Sequence, residues 1–349
     1  MSFDYLKTSY VDIPELQKSK IIIDNKFQDF ASLDKYLYIT VRKWDRDYPL
    51  PPLSNGIIAL EIVCDYKFPL NNLPSSIEVL CLPSIYKYPL ENLPINLYEL
   101  NFKAVDCNFD SKYKHPLNML PESVKILDLA FVTNQSSCNL PIGLKSLHLS
   151  STTFTDEIVN YPPELEHLHL LLTYCGIPSF KEQEQQERYF NLINIPLSIR
   201  ILAFPDIIIS NLDIILKRLV HLEELYIPNC SEHPILEYPP NLVKLYINGH
   251  YGTTYKLVNL PSSLKYISLG RYNESLEAVA NSNIEHIDCV DNRELAIFNY
   301  LPKSLKELSI IETHFEIQKI KKEYTHIKIN TRRDYDYEEE LIDSMRGDW

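Results

Sequence analysis

Glycine is scarce in this chain. Seven residues among 349 cannot be assembled into a G-x-G-x-x-G or Walker loop, so no backbone cradle for a nucleotide phosphate is encoded. G-x-S-x-G and H-E-x-x-H are missing as well, which removes the common hydrolase and metalloprotease signatures. No Cys-x-x-Cys occurs. The seven cysteines (Cys64, Cys81, Cys107, Cys138, Cys175, Cys230 and Cys289) are odd in number and scattered, a pattern that fits reduced thiols inside a cell. Nowhere do eighteen apolar residues run together, and the start, MSFDYLKTSYVDIPELQKSK, has no continuous apolar segment, so neither membrane spanning nor export is expected. Basic charge is in deficit too: 34 Lys and Arg against 47 Asp and Glu give −13. With no basic cluster to offset it, nucleic acid is not an expected partner. Neither catalysis nor a cofactor is expected.

Proline is abundant, at 23 residues, and it marks a repeat. YKFPLNNLPSSIEVLCL (66–82) returns twenty residues later as YKYPLENLPINLYELNF, and again as YKHPLNMLPESVKILDL. The shared core is Leu-Pro-x-x-Leu-x-x-Leu-x-Leu. Its first Leu after the proline falls at Ile57, Ile77, Leu97, Val124, Leu144, Leu165, Ile199, Leu222, Leu242, Leu264, Ile284 and Leu305. Fainter echoes stand at Tyr36-x-x-Ile39-x-Val41 and Tyr324-x-x-Ile327-x-Ile329. Alternation within each Leu-x-Leu predicts a strand with one buried face. Units of about twenty residues are too short for a full helix as well, so the returns are expected to be extended or 3₁₀. One unit cannot bury its leucines alone. Stacked units can, which predicts a solenoid with a parallel sheet along one side and two open sheet edges that need cover.

The wider pattern resembles the leucine-rich repeat, Leu-x-x-Leu-x-Leu-x-x-Asn, matched in full at Ile284, Ile287, Cys289 and Asn292. Elsewhere the Asn place holds Val105, Val132, Thr152, Thr173, Cys230 or Thr313. A closer resemblance is to the FNIP repeat, a leucine-rich-like unit of roughly 22 residues found in social amoebae and giant viruses. Tyr66-Lys67-Phe68-Pro69-Leu70, Tyr86-Lys87-Tyr88-Pro89-Leu90 and Tyr113-Lys114-His115-Pro116-Leu117 take the place of its Phe-Asn-x-Pro-Leu, and Leu260 to Lys265 and Leu301 to Lys306 fit its second half. The match is strong over 45–150 and weaker over 238–310. The resemblance implies a protein-binding solenoid, in some members attached to an F-box or kinase domain, and it brings no catalytic residue.

The expected organisation is an N-terminal cap (1–45), a repeat solenoid (46–329) and an acidic C-terminal tail (330–349). The insert PSFKEQEQQERYFNLIN (178–194) is rich in helix formers and is expected to be a short helix whose last turn, with its apolar residues, docks on the solenoid. It is either a structural decoration or a protruding contact surface. The tail TRRDYDYEEELIDSMRGDW is either a solvated end or a segment that folds back.

Side chains between the inward leucines are expected to line an exposed sheet face. Tyr226, Tyr246, Tyr266 and His286 fall on successive rungs, flanked by Glu224, Lys244 and Glu307. They form either a hot-spot surface or a stack that steadies neighbouring strands. Asp128, His148, His167 and His169 form a second group, read as a polar patch and not as a metal site. The expected function is a non-catalytic module that binds a protein partner through this face, inside the cell, in host cytoplasm or virion if the chain is viral. The alternatives are a ubiquitin-ligase adaptor with an F-box-like N-terminus, and a structural component.

Overall fold

A computed structural model describes residues 14–103, 113–117, 119–133, 135, 140–150, 153, 161–171, 192–204, 212–228, 235–248, 256–269, 272, 276–289, 301–311, 318, 321–322 and 324–332. Among these, fifteen strands form one sheet whose spatial order is the chain order. The strands are β1 (Lys20–Ile23), β2 (Tyr38–Val41), β3 (Ala59–Ile62), β4 (Val79–Pro83), β5 (Glu99–Lys103), β6 (Ile126–Leu129), β7 (Ser146–Ser150), β8 (His167–Leu171), β9 (Ile201–Ala203), β10 (Glu224–Pro228), β11 (Lys244–Asn248), β12 (Tyr266–Ser268), β13 (His286–Asp288), β14 (Glu307–Ile311) and β15 (Lys328–Arg332). Every pairing is parallel. The molecule is a leucine-rich-repeat-like solenoid with little helix. At ~4.8 Å per strand the sheet runs about 67 Å.

The leucine periodicity has the consequence expected of it. One inward column runs Ile39, Leu60, Leu80, Leu100, Leu127, Leu147, Leu168, Leu202, Leu225, Leu245, Ile267, Ile287 and Leu308, each at most 1% exposed. The two faint echoes become β2 and β15, and the apolar KIII becomes β1, paired to β2 in the same sheet. Within residues 14–45 the only α-helix is α1 (Pro14–Lys18); a six-residue 3₁₀ segment at Phe30–Lys35 joins β1 to β2. Two more short helices, α2 (Leu212–Arg218) and α3 (Glu277–Ala280), lie in return segments. Most of the helix expected at 178–194 and most of the tail fall outside the described residues; Leu192–Asn194 form a 3₁₀ turn.

Proline acts at the turn into most strands. In nine units the carbonyl of a proline, preceded by Leu in six and by Tyr or Ile in three, accepts the N–H of the residue three positions on, as in Leu97 N to Pro94 O at 3.0 Å and Leu264 N to Pro261 O at 3.1 Å. Proline has no N–H to leave unpaired there and its fixed φ stiffens the turn. The Ser before the Leu ties successive turns together: Ser76, Ser263 and Ser304 donate to the carbonyls of Ile57, Leu242 and Ile284 at 2.6, 2.8 and 2.7 Å.

The missing asparagine ladder has a substitute. Buried tyrosines from one unit reach back to the backbone of the unit before. Tyr66 Oη accepts from Leu50 N (2.8 Å), Tyr86 Oη accepts from Leu70 N (2.9 Å) and donates to Phe68 O (3.2 Å), and Tyr272 Oη accepts from Leu257 N (3.0 Å). Gln135 plays the same part, accepting from Leu117 N at 2.8 Å and donating to His115 O at 3.0 Å. The Tyr-Lys-x-Pro-Leu segment is therefore a lock whose Tyr holds the Leu amide one turn earlier. Tyr86→Phe keeps the ring but orphans the Leu70 amide. The expected loss is about 1–2 kcal/mol in urea unfolding, whereas an unaltered midpoint would show that the hydroxyl holds nothing.

Candidate functional face

The side of the sheet opposite the leucine core carries two columns of side chains. The first holds Tyr38, Ala59, Val79, Glu99, Ile126, Ser146, His167, Ile201, Glu224, Lys244, Tyr266, His286 and Glu307 in register. The second, two residues further on, holds Thr40, Glu61, Cys81, Asn101, Asp128, His148, His169, Ala203, Tyr226, Tyr246, Ser268, Asp288 and Ser309. These positions follow from strand alternation. Their exposure departs from the expectation of an open face. Glu61, Cys81, Glu99, His169, Ala203, Tyr226 and Ser268 are all buried, because parallel strands about 4.8 Å apart bring large side chains of one column into contact with the next rung.

The tyrosine group is assembled as the spacing predicts. The Tyr226 and Tyr246 rings stack at 4.0 Å with an 11° tilt, and Tyr246 meets Tyr266 at 5.0 Å and 41°. Tyr226, only 4% exposed, is a support and not a contact surface; Tyr246 and Tyr266 are half-buried. Tyr226 Oη donates to Glu224 Oε2 (2.9 Å), whose other oxygen takes Lys244 Nζ at 2.8 Å. Burial pushes the Tyr226 and Tyr246 hydroxyls up, so both remain neutral. Beyond them Tyr266 Oη lies 3.4 Å from Asp288 Oδ2, and His286 Nδ1 lies 3.3 Å from Glu307 Oε2. The side chains of Lys244 and His286 are each 42% exposed. The result is a partly open strip of aromatic rings edged by charge.

The second group also comes together. His148 Nδ1 sits 3.4 Å from Asp128 Oδ2, and its ring meets His169 edge-on at 5.2 Å. His167 lies on the neighbouring column of the same strand. Burial lowers the His169 pKa to about 3, and the nearby His148 adds to the effect. Burial likewise lowers His167. Asp128 would be raised by burial, but the His148 imidazole and the Ala130 N–H, 3.0 Å from Oδ1, hold it below the usual carboxylate range. Two imidazoles kept neutral by desolvation form the interior of a patch and expose little of themselves. Among the described residues no three His, Cys, Asp or Glu side chains converge as metal ligands.

A third group was not singled out from the sequence. Glu61 accepts from Tyr38 Oη (2.6 Å) and Thr40 Oγ1 (2.9 Å) and pairs with Lys103 at 2.9 Å and Lys20 at 3.6 Å, joining strands β1, β2, β3 and β5. Burial works against ionisation of Glu61, yet Lys103, the Tyr38 hydroxyl and Lys20 outweigh it and hold its pKa at about 2. The available signal was the outer columns themselves, which put Tyr, Thr, Glu and Lys on neighbouring rungs. Beside this group Leu16 of α1 is buried against Tyr38, Ala59, Val79 and Cys81, a small apolar cluster separate from the main core. Burying one leucine contributes about 2–3 kcal/mol.

No protein-family model matches the chain, and no curated protein matches its sequence. Among solved structures one similar fold is the crystal structure of CroV588, described as a novel circular LRR protein. Its TM-score is 0.49 and its identity 16%, over 84% of this chain and 50% of that one. This chain therefore spans about half the length of that structure. No helix among the described residues is long and apolar enough to cross a membrane.

Proposed function

We propose that the chain is a non-catalytic binding module that grips a protein partner through the outer sheet face between β10 and β14. Lys244, Tyr246, Tyr266 and His286 make the contact, while Tyr226 and Glu224 support it from beneath. The observation that carries this reading is the stacked tyrosine column, half-buried at Tyr246 and Tyr266 and edged by Lys244 and His286. Tyrosine offers a large contact area for little loss of side-chain freedom, and solenoids of this kind present extended surfaces for such contacts. Asp128 and His148, partly open, extend the same face by polar contact, with His167 beside them and the buried His169 supporting them from beneath. The cysteine chemistry agrees with a non-catalytic reading: burial pushes the Cys64 and Cys81 thiols up to about 11 and about 12, far from a reactive thiolate. We place the repeat with the FNIP class on its Tyr-Lys-x-Pro-Leu and Leu-Pro-Ser-Ser-Leu-Lys segments, acting inside a cell, with residues 1–45 closing one end through the paired strands β1 and β2, and with the tail starting after β15, at 333, and not at 330 as expected.

Affinity purification from the native host cell, repeated with Tyr246→Ala plus Tyr266→Ala, tests the reading. A partner bound at this face is expected to fall at least tenfold in recovery by quantitative mass spectrometry. That follows from hot-spot tyrosines contributing about 2 kcal/mol or more. Equal recovery of the same proteins would remove the tyrosine strip from the binding role.

A further inference from the structure

Acid-sensitive groups are not spread evenly along the sheet. Of the seven histidines among the described residues, three stand on β7 and β8, and His169 is the only buried one. They form one cluster on the outer face. His148 of β7 has Asp128 of β6 on one side, 3.4 Å from Nδ1, and the His169 ring edge-on at 5.2 Å on the other. Beyond His169 the column holds Ala203 of β9, which brings no charge. His167, two residues earlier on β8, has Glu166 and Arg200 near it and Glu224 of β10 on its far side.

A proton on His169 is opposed by burial and then by His148, and the attraction of Asp128 does not make up the difference. Burial opposes a proton on His167 in the same way. Opening β8 hands both imidazoles to water and removes that opposition, so protons favour the open form. The same rungs carry two buried polar atoms without a hydrogen-bond partner, His148 Nε2 and Ser146 Oγ, which already weakens them. Displaced carboxylates elsewhere answer only to stronger acid: Glu61 is held at about 2 by Lys103 in spite of burial, and Glu285 at about 2 by Lys306 and Lys265. Between about pH 6.5 and 4.5 the displaced groups that respond are those of β8.

We propose that β7 and β8 are an acid-opened joint in the middle of the solenoid, two rungs that open in mild acid while the rungs on either side stay folded. Repeat arrays allow this, since each unit contacts only its neighbours and segments open separately. The His148–His169 contact is itself a contact between units, so a proton there acts on the coupling of two rungs and not on one rung alone. With the joint open, the N-terminal rungs and the tyrosine strip are no longer held on one rigid sheet. The joint is a property of the fold and does not rest on partner binding at the strip.

Hydrogen exchange read by mass spectrometry on the full-length chain at about pH 6.5 and 4.5, with rates corrected for intrinsic exchange, tests the joint. Amides such as His167 N, bonded to Lys145 O at 3.0 Å, are expected to lose protection about a hundredfold, or about tenfold per pH unit. Amides of β4 and β12 are expected to change less than about threefold, because rungs nearer the ends exchange through openings that leave β8 closed. An equal loss along the whole sheet would make the opening global and overturn the proposal, and so would unchanged protection at β8. In His169→Gln the loss at β7 and β8 is expected to shrink at least about tenfold, and an undiminished loss would count against the joint. Proton NMR of the unaltered chain gives a reading that needs no variant. The His169 ring signals are expected to hold still from about pH 7 to 4.5, and a titration in that span with the sheet intact would also overturn the proposal.

Discussion

Glu61→Ala is expected to destabilise the first rungs of the solenoid by about 3 kcal/mol, the low end of the range for breaking a buried ion pair. The carboxylate is the shared acceptor of Tyr38 and Thr40 and the counterion of Lys20 and Lys103. Removing it leaves two ammonium groups and two hydroxyls facing one another at the sheet surface. The Lys103 side chain is 51% exposed, so water takes up part of the loss and keeps the effect from the top of that range. Glu61→Gln retains an oxygen for the hydroxyls and is expected to cost about 1–2 kcal/mol. Solenoids melt in parts, so a local probe is needed. Trp44, buried against Phe30 and Tyr66, supplies one. Urea unfolding followed by its fluorescence should shift to lower denaturant in both variants, alanine more than glutamine. A midpoint that stays in place would show that the network does not hold these rungs.

The second large effect is loss of stability in acid, well above the range where ordinary carboxylates protonate. His169 has its folded pKa lowered from 6.5 to about 3 by burial. The unfolded chain then binds a proton that the folded chain refuses. Stability from this group is complete above about pH 6.5 and falls as pH drops from there toward 3. At 1.36 kcal/mol per unit, the loss is about 2–3 kcal/mol by pH 4.5. His167, lowered in the same direction, adds to it. Glu61, held at about 2 against an ordinary 4.5, behaves as a depressed carboxylate does: its contribution is complete above about pH 4.5 and disappears between there and 2. The two windows join into one long acid slope. His169→Gln is expected to remove this group's share of the slope over the whole span from pH 6.5 to about 3, leaving the Glu61 share between about 4.5 and 2. Denaturant midpoints at several pH values would show this, and an unchanged slope in the variant would mean that His169 takes up its proton while folded.

The leucine core was readable because a solenoid repeats one local rule. Strand alternation and a twenty-residue period fix which side chains point inward, and register follows from repetition. The same arithmetic gave the membership of the outer columns, so Tyr226, Tyr246, Tyr266, His286, Asp128, His148, His167 and His169 all fell where they were expected. Their exposure was not readable, because it depends on the size of neighbours on adjacent rungs. Tyr226 disappears beneath Tyr246, and His169 beside His148, while Lys244 and His286 remain partly open. The substitute for the asparagine ladder escaped notice for a different reason. Tyr66 and Tyr86 were visible as repeat markers, but nothing in one unit's sequence says that its hydroxyl serves the amide of another. Leu16 escaped too, since a single leucine in a short polar segment has no periodicity.

The tyrosine locks point one way along the chain: each hydroxyl reaches back to the unit made before it. On a ribosome, where the N-terminal units emerge first, a newly exposed turn must wait for about sixteen more residues before its amide is secured. At the turns of Leu50 and Leu70, folding during synthesis therefore trails translation by one unit, and a pause within the Tyr-Lys-x-Pro-Leu segment that follows leaves that coil loose until its tyrosine emerges.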